Sequence, residues 1–257
     1  MKLSTENITD SIKEYCKILS LPVVAQCYEA EAENAAKTNS SYQEYLYKVL
    51  QNQIVVRIDN SVNAKIKKAK FPFIKTIEEF DFSFQPSIDA KLIRELADLA
   101  FLNYAKNIIF VGPPGVGKTH LAVAIGVNVA KARKRVLFFT AEDLINQLLS
   151  ADLSKQLTAY IDSLSRVDLL IIDELGYLEI GKHAAALFFK LISKRYEKAS
   201  IILTTNKPFD EWGEIFGDDV VAAAILDRLL HHSYPFLIQG RSYRMKELFE
   251  KKTIIIF

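Results

Sequence analysis

The chain has 257 residues, half of them apolar and a quarter charged, with a formal net charge of +2. That composition excludes a disordered or fibrous chain, permits at most two compact units, and leaves nucleic-acid binding to be argued from local charge clusters alone. Cys16 and Cys27 have no second pair at metal-ligand spacing and read as free thiols of a reduced, intracellular protein. No secretory segment opens the sequence and no run reaches the roughly eighteen apolar residues of a membrane helix, so a cytoplasmic location without membrane contact is expected.

In chain order, residues 8 to about 70 are helical in pattern. Ile12, Tyr15, Cys16 and Leu19 recur at three- and four-residue steps, the pattern breaks at Pro22, and Tyr42, Tyr45, Leu46 and Val49 repeat it, which predicts three or four amphipathic helices. Ser41 followed by Glu44 is in capping-box register. Between Arg57 and Lys75 stand Arg57, Lys65, Lys67, Lys68, Lys70 and Lys75 against one acid, Asp59. Lys65 and Lys68 can share a helix flank, which is either a solvated face or a phosphate-attracting one. Pro72 ends the helical signal, and FPFIKTIEEFDFSFQPSID is aromatic and proline-interrupted. A helical domain over 1–70, an extended linker over 71–90 and a second domain over 91–257 are therefore expected.

Beyond residue 88 helical and strand signals alternate. A helix near 88–104 precedes a strand at 107–111, a helix at 118–132 and a strand at 136–140; two short helical runs, 142–150 and 154–164, follow. Strands at 168–172 and 200–204 flank the helix HAAALFFKLISKRYEK, residues 209–230 are largely helical, 235–238 is a short strand, and 243–251 is a last helix. This alternation predicts an α/β fold with a parallel sheet covered by helices.

The strand Ile108–Val111 runs into Gly112-Pro113-Pro114-Gly115-Val116-Gly117-Lys118-Thr119 and then His120 and an apolar helix, the strand, glycine loop and helix order of a nucleoside triphosphate cradle for ATP or GTP. Lys118 is expected on the β/γ oxygens and Thr119 on a magnesium ion. LLIIDE, residues 169–174, is an apolar strand ending in two acids: Asp173 can hold the magnesium shell and Glu174 can take a proton from the attacking water, or both can cap the turn before Gly176. Asn206, after Thr204 and Thr205, can orient the water or the γ-phosphate, or simply start the turn before Pro208. Arg228, Arg241 and Arg244 taken singly are surface ion-pair partners, although phosphoryl transfer calls for a delocalised positive charge. His231 and His232 are adjacent, so their rings are expected to diverge, and no carboxylate stands at ligand spacing; no metal beyond magnesium is expected. Lys131, Arg133, Lys134 and Arg135 close a helix, where the dipole welcomes cations.

With those residues in place the chain resembles the IstB family of AAA+ ATPases, which assist a transposase in bacterial insertion-sequence transposition. The resemblance runs from FPFIKT at 71–76 and FDFSFQPSID through GPPGVGKTHLA, LLIIDELGYL, TTNKPFDEW and ILDRLLHH to GRSYRMK, nearly everything after residue 70. It implies an AAA+ P-loop NTPase core with C-terminal lid elements behind a small all-helical N-terminal domain. It further implies magnesium-dependent ATP hydrolysis, an ATP-dependent homo-oligomer on double-stranded DNA, and a partner transposase. Residue by residue, Arg228 would be the arginine finger for an adjacent subunit, Arg244 the second sensor in the lid and Asn206 the first sensor. The helical runs from Glu142 to Leu164 would be an added element that grips DNA. Helicase loaders similar to DnaC share the core and are the alternative. The sequence departs from the family in carrying lysines where relatives have an arginine-rich run before the FP element. If Arg57, Lys65, Lys67, Lys68, Lys70 and Lys75 all meet phosphates, log affinity for DNA falls with log salt at a slope of about −5; a slope near −2 in a salt titration would mean that most do not.

Overall fold

The computed structural model describes residues 5–177 and 179–246, which fall into two compact units, 1–64 and 65–257. Helices α1 (Thr5–Ile18), α2 (Pro22–Lys37) and α3 (Tyr42–Ala69) come first. Pro22 starts α2 rather than interrupting a helix, a position where its missing N–H is no loss. Leu21 offers no side-chain cap, and the free N–H groups of Val23 and Val24 instead reach the buried Gln53 Oε1 on α3, at 3.0 and 3.4 Å. The capping box forms as expected: Glu44 accepts from the Ser41 N–H at 2.8 Å and Ser41 Oγ accepts from the Glu44 N–H at 3.2 Å. The predicted apolar stripe is only partly covered. Cys16 and Val49 are buried, whereas Tyr15, Leu19, Tyr42 and Leu46 are exposed. Both cysteines are free.

The second unit is built on five parallel strands, β1 (Asn107–Val111), β2 (Val136–Thr140), β3 (Leu169–Leu175), β4 (Ser200–Thr205) and β5 (Ser233–Leu237), in the order β2-β3-β4-β1-β5. Every residue of β1 and β4 is buried, as continuous apolar runs covered on both faces require. Helices α4 (Ala90–Ala97), α5 (Lys118–Lys131), α6 (Ala141–Leu153), α7 (Leu157–Ser165), α8 (Lys182–Arg195), α9 (Trp212–Phe216) and α10 (Asp219–Leu230) supply the layers. One hydrophobic cluster gathers α4, α5 and one face of the sheet; the other gathers α6 to α10 on the opposite face.

The helix expected over 88–104 is shorter. Asp89 caps α4 by accepting from the Lys91 and Leu92 N–H groups, Leu99 adopts a left-handed conformation, and a 3-10 turn covers Ala100–Tyr104. A straight helix at 100° per residue would set Phe101 about 140° from Leu96. The break buries both. The expected strand 168–172 runs on to Leu175, and the described part of the expected last helix is a 3-10 turn, Tyr243–Met245, the remainder lying outside the described residues. No described helix is long and apolar enough to cross a membrane.

Arg195, at the end of α8, is 1% exposed and forms no ion pair among the described residues, although the Asp168 charge acts on it. Its guanidinium donates to the carbonyls of Leu164 (2.6 Å), Val167 (3.0 Å) and Ser200 (2.6 Å), closing the end of α7 against the start of β4, and burial pushes its pKa down to about 10. Arg195→Met removes three hydrogen bonds to buried carbonyls, of which that of Leu164 keeps another donor, the Val167 N–H. We expect a loss of roughly 3 kcal/mol in urea unfolding; an unchanged midpoint would remove this pin from the fold.

Candidate functional site

All five strands are parallel, so their C-terminal ends share one edge of the sheet, and β1 is where the chain turns to opposite sides: β4 lies on one flank and β5 on the other. Such a switch point opens a crevice at the strand tips. The loop 112–117 lies across it. Gly115 (φ 81°) and Gly117 (φ 98°) both take left-handed backbone, and a side chain on either would strike Ser242 or Phe80 respectively. Lys118 opens α5, is buried, and donates to the carbonyls of Gly112 (2.7 Å) and Pro113 (2.8 Å). Burial lowers its pKa, with Asp173 opposing that shift. A buried ammonium bonded to two loop carbonyls at a helix N-terminus fits a polyphosphate.

The tip of β3 is irregular. Its pairing with β4 is regular to Ile172 and slips between Ile172 and Leu175, and Glu174 adopts φ 64°. Bulges of this kind re-aim side chains. Asp173 is turned inward at 3% exposure and Glu174 outward into the crevice. Thr204 on β4 fixes both: its hydroxyl donates to Asp173 Oδ1 at 2.5 Å and accepts from the Glu174 N–H at 3.0 Å. Thr119 donates to the same carboxylate, 3.0 Å from each oxygen. Asp173 is thus tied to α5 and β4 rather than to the turn before Gly176. Burial raises its pKa, and the two threonine hydroxyls work against that rise. A hydroxyl beside a buried carboxylate is a donor set suited to magnesium. Asn206, just past β4, holds its Oδ1 buried without a hydrogen-bond partner among the described residues, an acceptor that fits an ordered water or nucleophile.

A cavity of about 390 Å³ lies over this edge, lined by residues 114–120 of the loop and helix, Glu174, Thr204, Tyr177, Tyr243 and Arg244. Its remaining wall is Phe73, Lys75, Glu79, Phe80, Asp81 and Gln85. The segment expected to be a linker is therefore part of the site. His120 both lines the cavity and bonds the Thr76 carbonyl at 2.8 Å, with Phe80 edge-on to its ring. The segment after β5 closes from the other side: the Tyr243 N–H donates to the Gly115 carbonyl (2.9 Å), Gln85 Nε2 to the Arg241 carbonyl (2.9 Å), and Lys246 pairs with Asp81 (3.0 Å). Hydrogen bonds from Ser83 and Lys246 hold the Asp81 pKa down at about 2.

The structure therefore brings Gly112, Pro113, Pro114, Gly115, Val116, Gly117, Lys118, Thr119, His120, Asp173, Glu174, Asn206 and Arg244 to one edge. Arg228 is not among them. It lies on α10, its guanidinium bonded to the Ala224 carbonyl (3.0 Å) and resting on the Phe189 ring (4.6 Å). Leu229, the next residue, accepts from Asn107 at the first position of β1, the opposite edge of the sheet. Of the basic stretch, Arg57 is spent on the Ser20 carbonyl (2.5 Å) and Lys75 pairs with Glu79 (3.5 Å), while Lys67, Lys68 and Lys70 are exposed and Lys65 is half-buried. Thr204, Tyr177, Phe80 and Gln85 escaped the sequence reading; only the paired threonines at a strand tip carried a signal. The expectation that His231 and His232 diverge is corrected: they follow the last turn of α10 with ring centroids 4.1 Å apart, and Glu197, distant in sequence, stands beside both.

A glycine cradle at a parallel sheet's switch point, an acid strand separated from it by an intervening strand, and helical layers on both faces define the core of an AAA+ P-loop protein. The chain belongs to the family described as IstB-like ATP binding protein, whose profile matches residues 15–251. It is 48% identical over 238 residues to the protein named as ATP-binding in insertion sequence IS5376 of Geobacillus stearothermophilus, covering 93% of this chain and 95% of that one. It is 51% identical over 219 residues to the corresponding protein of insertion sequence IS21 of Pseudomonas aeruginosa, covering 85% and 83%. Among solved structures, the DnaC helicase loader superposes with a TM-score of 0.50 at 26% identity over 58% of this chain and 88% of its own. AMPPCP-bound DnaA from Aquifex aeolicus superposes with a TM-score of 0.54 at 23% identity, over 70% of this chain and 55% of its own, a likeness of fold.

Because the Asp173 pKa is raised in the folded state, folding binds a proton more tightly there, and the stability linked to it is present below about pH 4 and lost as pH rises through the folded value. In chelator and without nucleotide, Asp173→Asn should remove that loss and be more stable than wild type at pH 7 in urea unfolding, with the two alike near pH 3. A variant less stable than wild type at pH 7 would show that the carboxylate is needed as an acceptor rather than tolerated as a charge.

Proposed function

We propose that this chain is a magnesium-dependent ATPase that oligomerises on duplex DNA in an ATP-dependent manner and assists a transposase in choosing its target. One observation carries the reading: the nucleotide cradle and Arg228 lie at opposite edges of one sheet, so a complete hydrolytic site needs the guanidinium of a second copy. The peptide N–H groups of 112–117 would bind the phosphates, and Lys118 would leave its loop carbonyls for the β/γ oxygens. Thr119 and Asp173 would hold the magnesium ion, which neutralises charge on the β and γ oxygens when bound. Glu174, carried outward by the bulge, would take a proton from the attacking water while Asn206 orients that water and Arg244 contacts the nucleotide from the lid. Arg228 of the neighbouring copy would stabilise the charge developing on the transferred phosphoryl group.

The family membership and the insertion-sequence relatives, which match along nearly the full chain, support the transposition context. The likeness to the DnaC loader covers 58% of the chain and makes helicase loading the second reading. For DNA we assign Lys65, Lys67, Lys68 and Lys70, with Arg57 contributing only if it leaves Ser20, together with the added helical pair α6 and α7. The salt slope is then nearer −4 than −5.

Arg228→Ala should lower ATP turnover by at least about a hundredfold while leaving ATP affinity within a few-fold of wild type, because the residue serves another copy's site. Turnover per chain should rise with protein concentration and with duplex DNA. Hydrolysis at wild-type rate by an Arg228→Ala protein, or by wild type kept strictly monomeric, would end this reading. Glu174→Gln should bind ATP, hydrolyse it at least about a hundredfold more slowly, and remain assembled on DNA, as seen by filter binding; unchanged hydrolysis would take Glu174 out of the reaction.

A further inference from the structure

We propose that Glu197, His231 and His232 form a binding site for a borderline transition-metal dication of the zinc class, clamped across the ends of α8 and α10. The donors come from two turns far apart in sequence. Tyr196 and Glu197 follow α8, and His231 and His232 follow α10 immediately before β5. Glu197 Oε1 is 3.3 Å from His232 Nε2 and 3.9 Å from His231 Nδ1, and one donor atom from each of the three residues lies within 4.8 Å of the others. Tetrahedral metal–ligand bonds of about 2.0–2.2 Å set donors about 3.4 Å apart, a spacing the Glu197–His232 pair already has and the wider pairs reach by side-chain rotation. All three side chains are exposed, so they have the rotamer freedom to do so.

The ligand chemistry selects the ion. Two imidazoles and one carboxylate suit zinc, nickel or copper, whereas magnesium and calcium prefer all-oxygen shells. The Tyr196 hydroxyl lies 2.6 Å from His231 Nδ1, the nitrogen that faces Glu197, so it gives up that hydrogen bond when Nδ1 takes the ion and stays beside it as a candidate fourth donor, its ring stacked on the imidazole. Three protein ligands with further positions open is an incomplete shell, one that a fourth group from solvent or a neighbouring molecule can fill.

The position gives the site a role. Arg228 stands one turn upstream of His231 on α10, and Arg228, Tyr196 and Glu197 line the same small crevice with Asn107 and Arg195. A bound ion would join the turn after α8 to the turn after α10 and so stiffen the segment that carries Arg228. The site stands on side-chain geometry alone and is independent of the proposed hydrolytic function. It lies at the edge of the sheet where β4 and β5 begin, away from Lys118 and Asp173.

The test uses the untagged full chain without nucleotide, titrated with Zn2+ alone by calorimetry and repeated with saturating Mg-ATP. We expect one zinc per chain with micromolar or tighter affinity, unchanged by Mg-ATP, and a zinc-dependent rise in the melting temperature. His232→Ala and Glu197→Gln, each with wild-type circular dichroism and melting temperature in chelator, should weaken zinc by at least tenfold and lose the thermal shift. No zinc binding by the wild type, binding of equal strength by both variants, or displacement by Mg-ATP would each overturn the proposal; the last two would move the ion to another site, the magnesium position included.

Discussion

A threonine hydroxyl that serves two neighbours at once is the hinge of this molecule. Thr204 donates to the Asp173 carboxylate and accepts from the Glu174 N–H, and this pair of bonds pins the slipped register at the tip of β3. Two successive residues of a regular strand point to opposite faces of the sheet. Here the slip leaves one carboxylate buried against Thr119 while the next is delivered outward into the cavity. A left-handed conformation at a non-glycine residue costs about 1 kcal/mol or more and persists only where the surroundings over-determine it. Thr204 is part of that determination, and it exists because β4, not β1, lies beside β3 in the sheet.

The same edge concentrates charge that folding alone would avoid. Lys118 and Asp173 are both buried, and burial works against the ionised form of each. An isolated fold would be steadier with neutral groups there. Each offsets part of that cost for the other, Asp173 raising the Lys118 pKa and Lys118 lowering that of Asp173. The aromatic stretch 71–89 and the lid 239–246 are stitched to each other through Gln85, Ser87 and Asp81 and press on Gly117 and Gly115, so the glycine loop is held from both sides.

Strand positions, the glycine loop and the acid strand were legible in the sequence because each is a local pattern: buried parallel strands are short apolar runs, and a phosphate loop needs glycines at fixed offsets. The same locality explains the capping box at Ser41. What was hidden depended on partners far along the chain. Phe80 and Gln85 become walls of the cavity only through contacts with Gly117 and with Arg241, the latter about 150 residues away. Proline and aromatic residues announce that 71–89 is not helical, but they do not say what it lies against. The break at Leu99 was hidden because the helical period continues in sequence while the core draws Leu96 and Phe101 to the same side. The carboxylate beside His231 and His232 comes from a turn whose spacing no metal motif encodes.

Arg228 shows why a residue's chemistry and its own chain's geometry have to be read together. On α10 its charge is partly satisfied by the Ala224 carbonyl and the face of Phe189, an arrangement that parks a guanidinium without neutralising it. An exposed arginine serving only solubility would need neither contact. A helix-long detour to the far edge of the sheet also forbids it from reaching Lys118 in the same molecule. A cation held in a defined direction, at the edge opposite the glycine loop, is what the proposed sharing of one site between two copies requires.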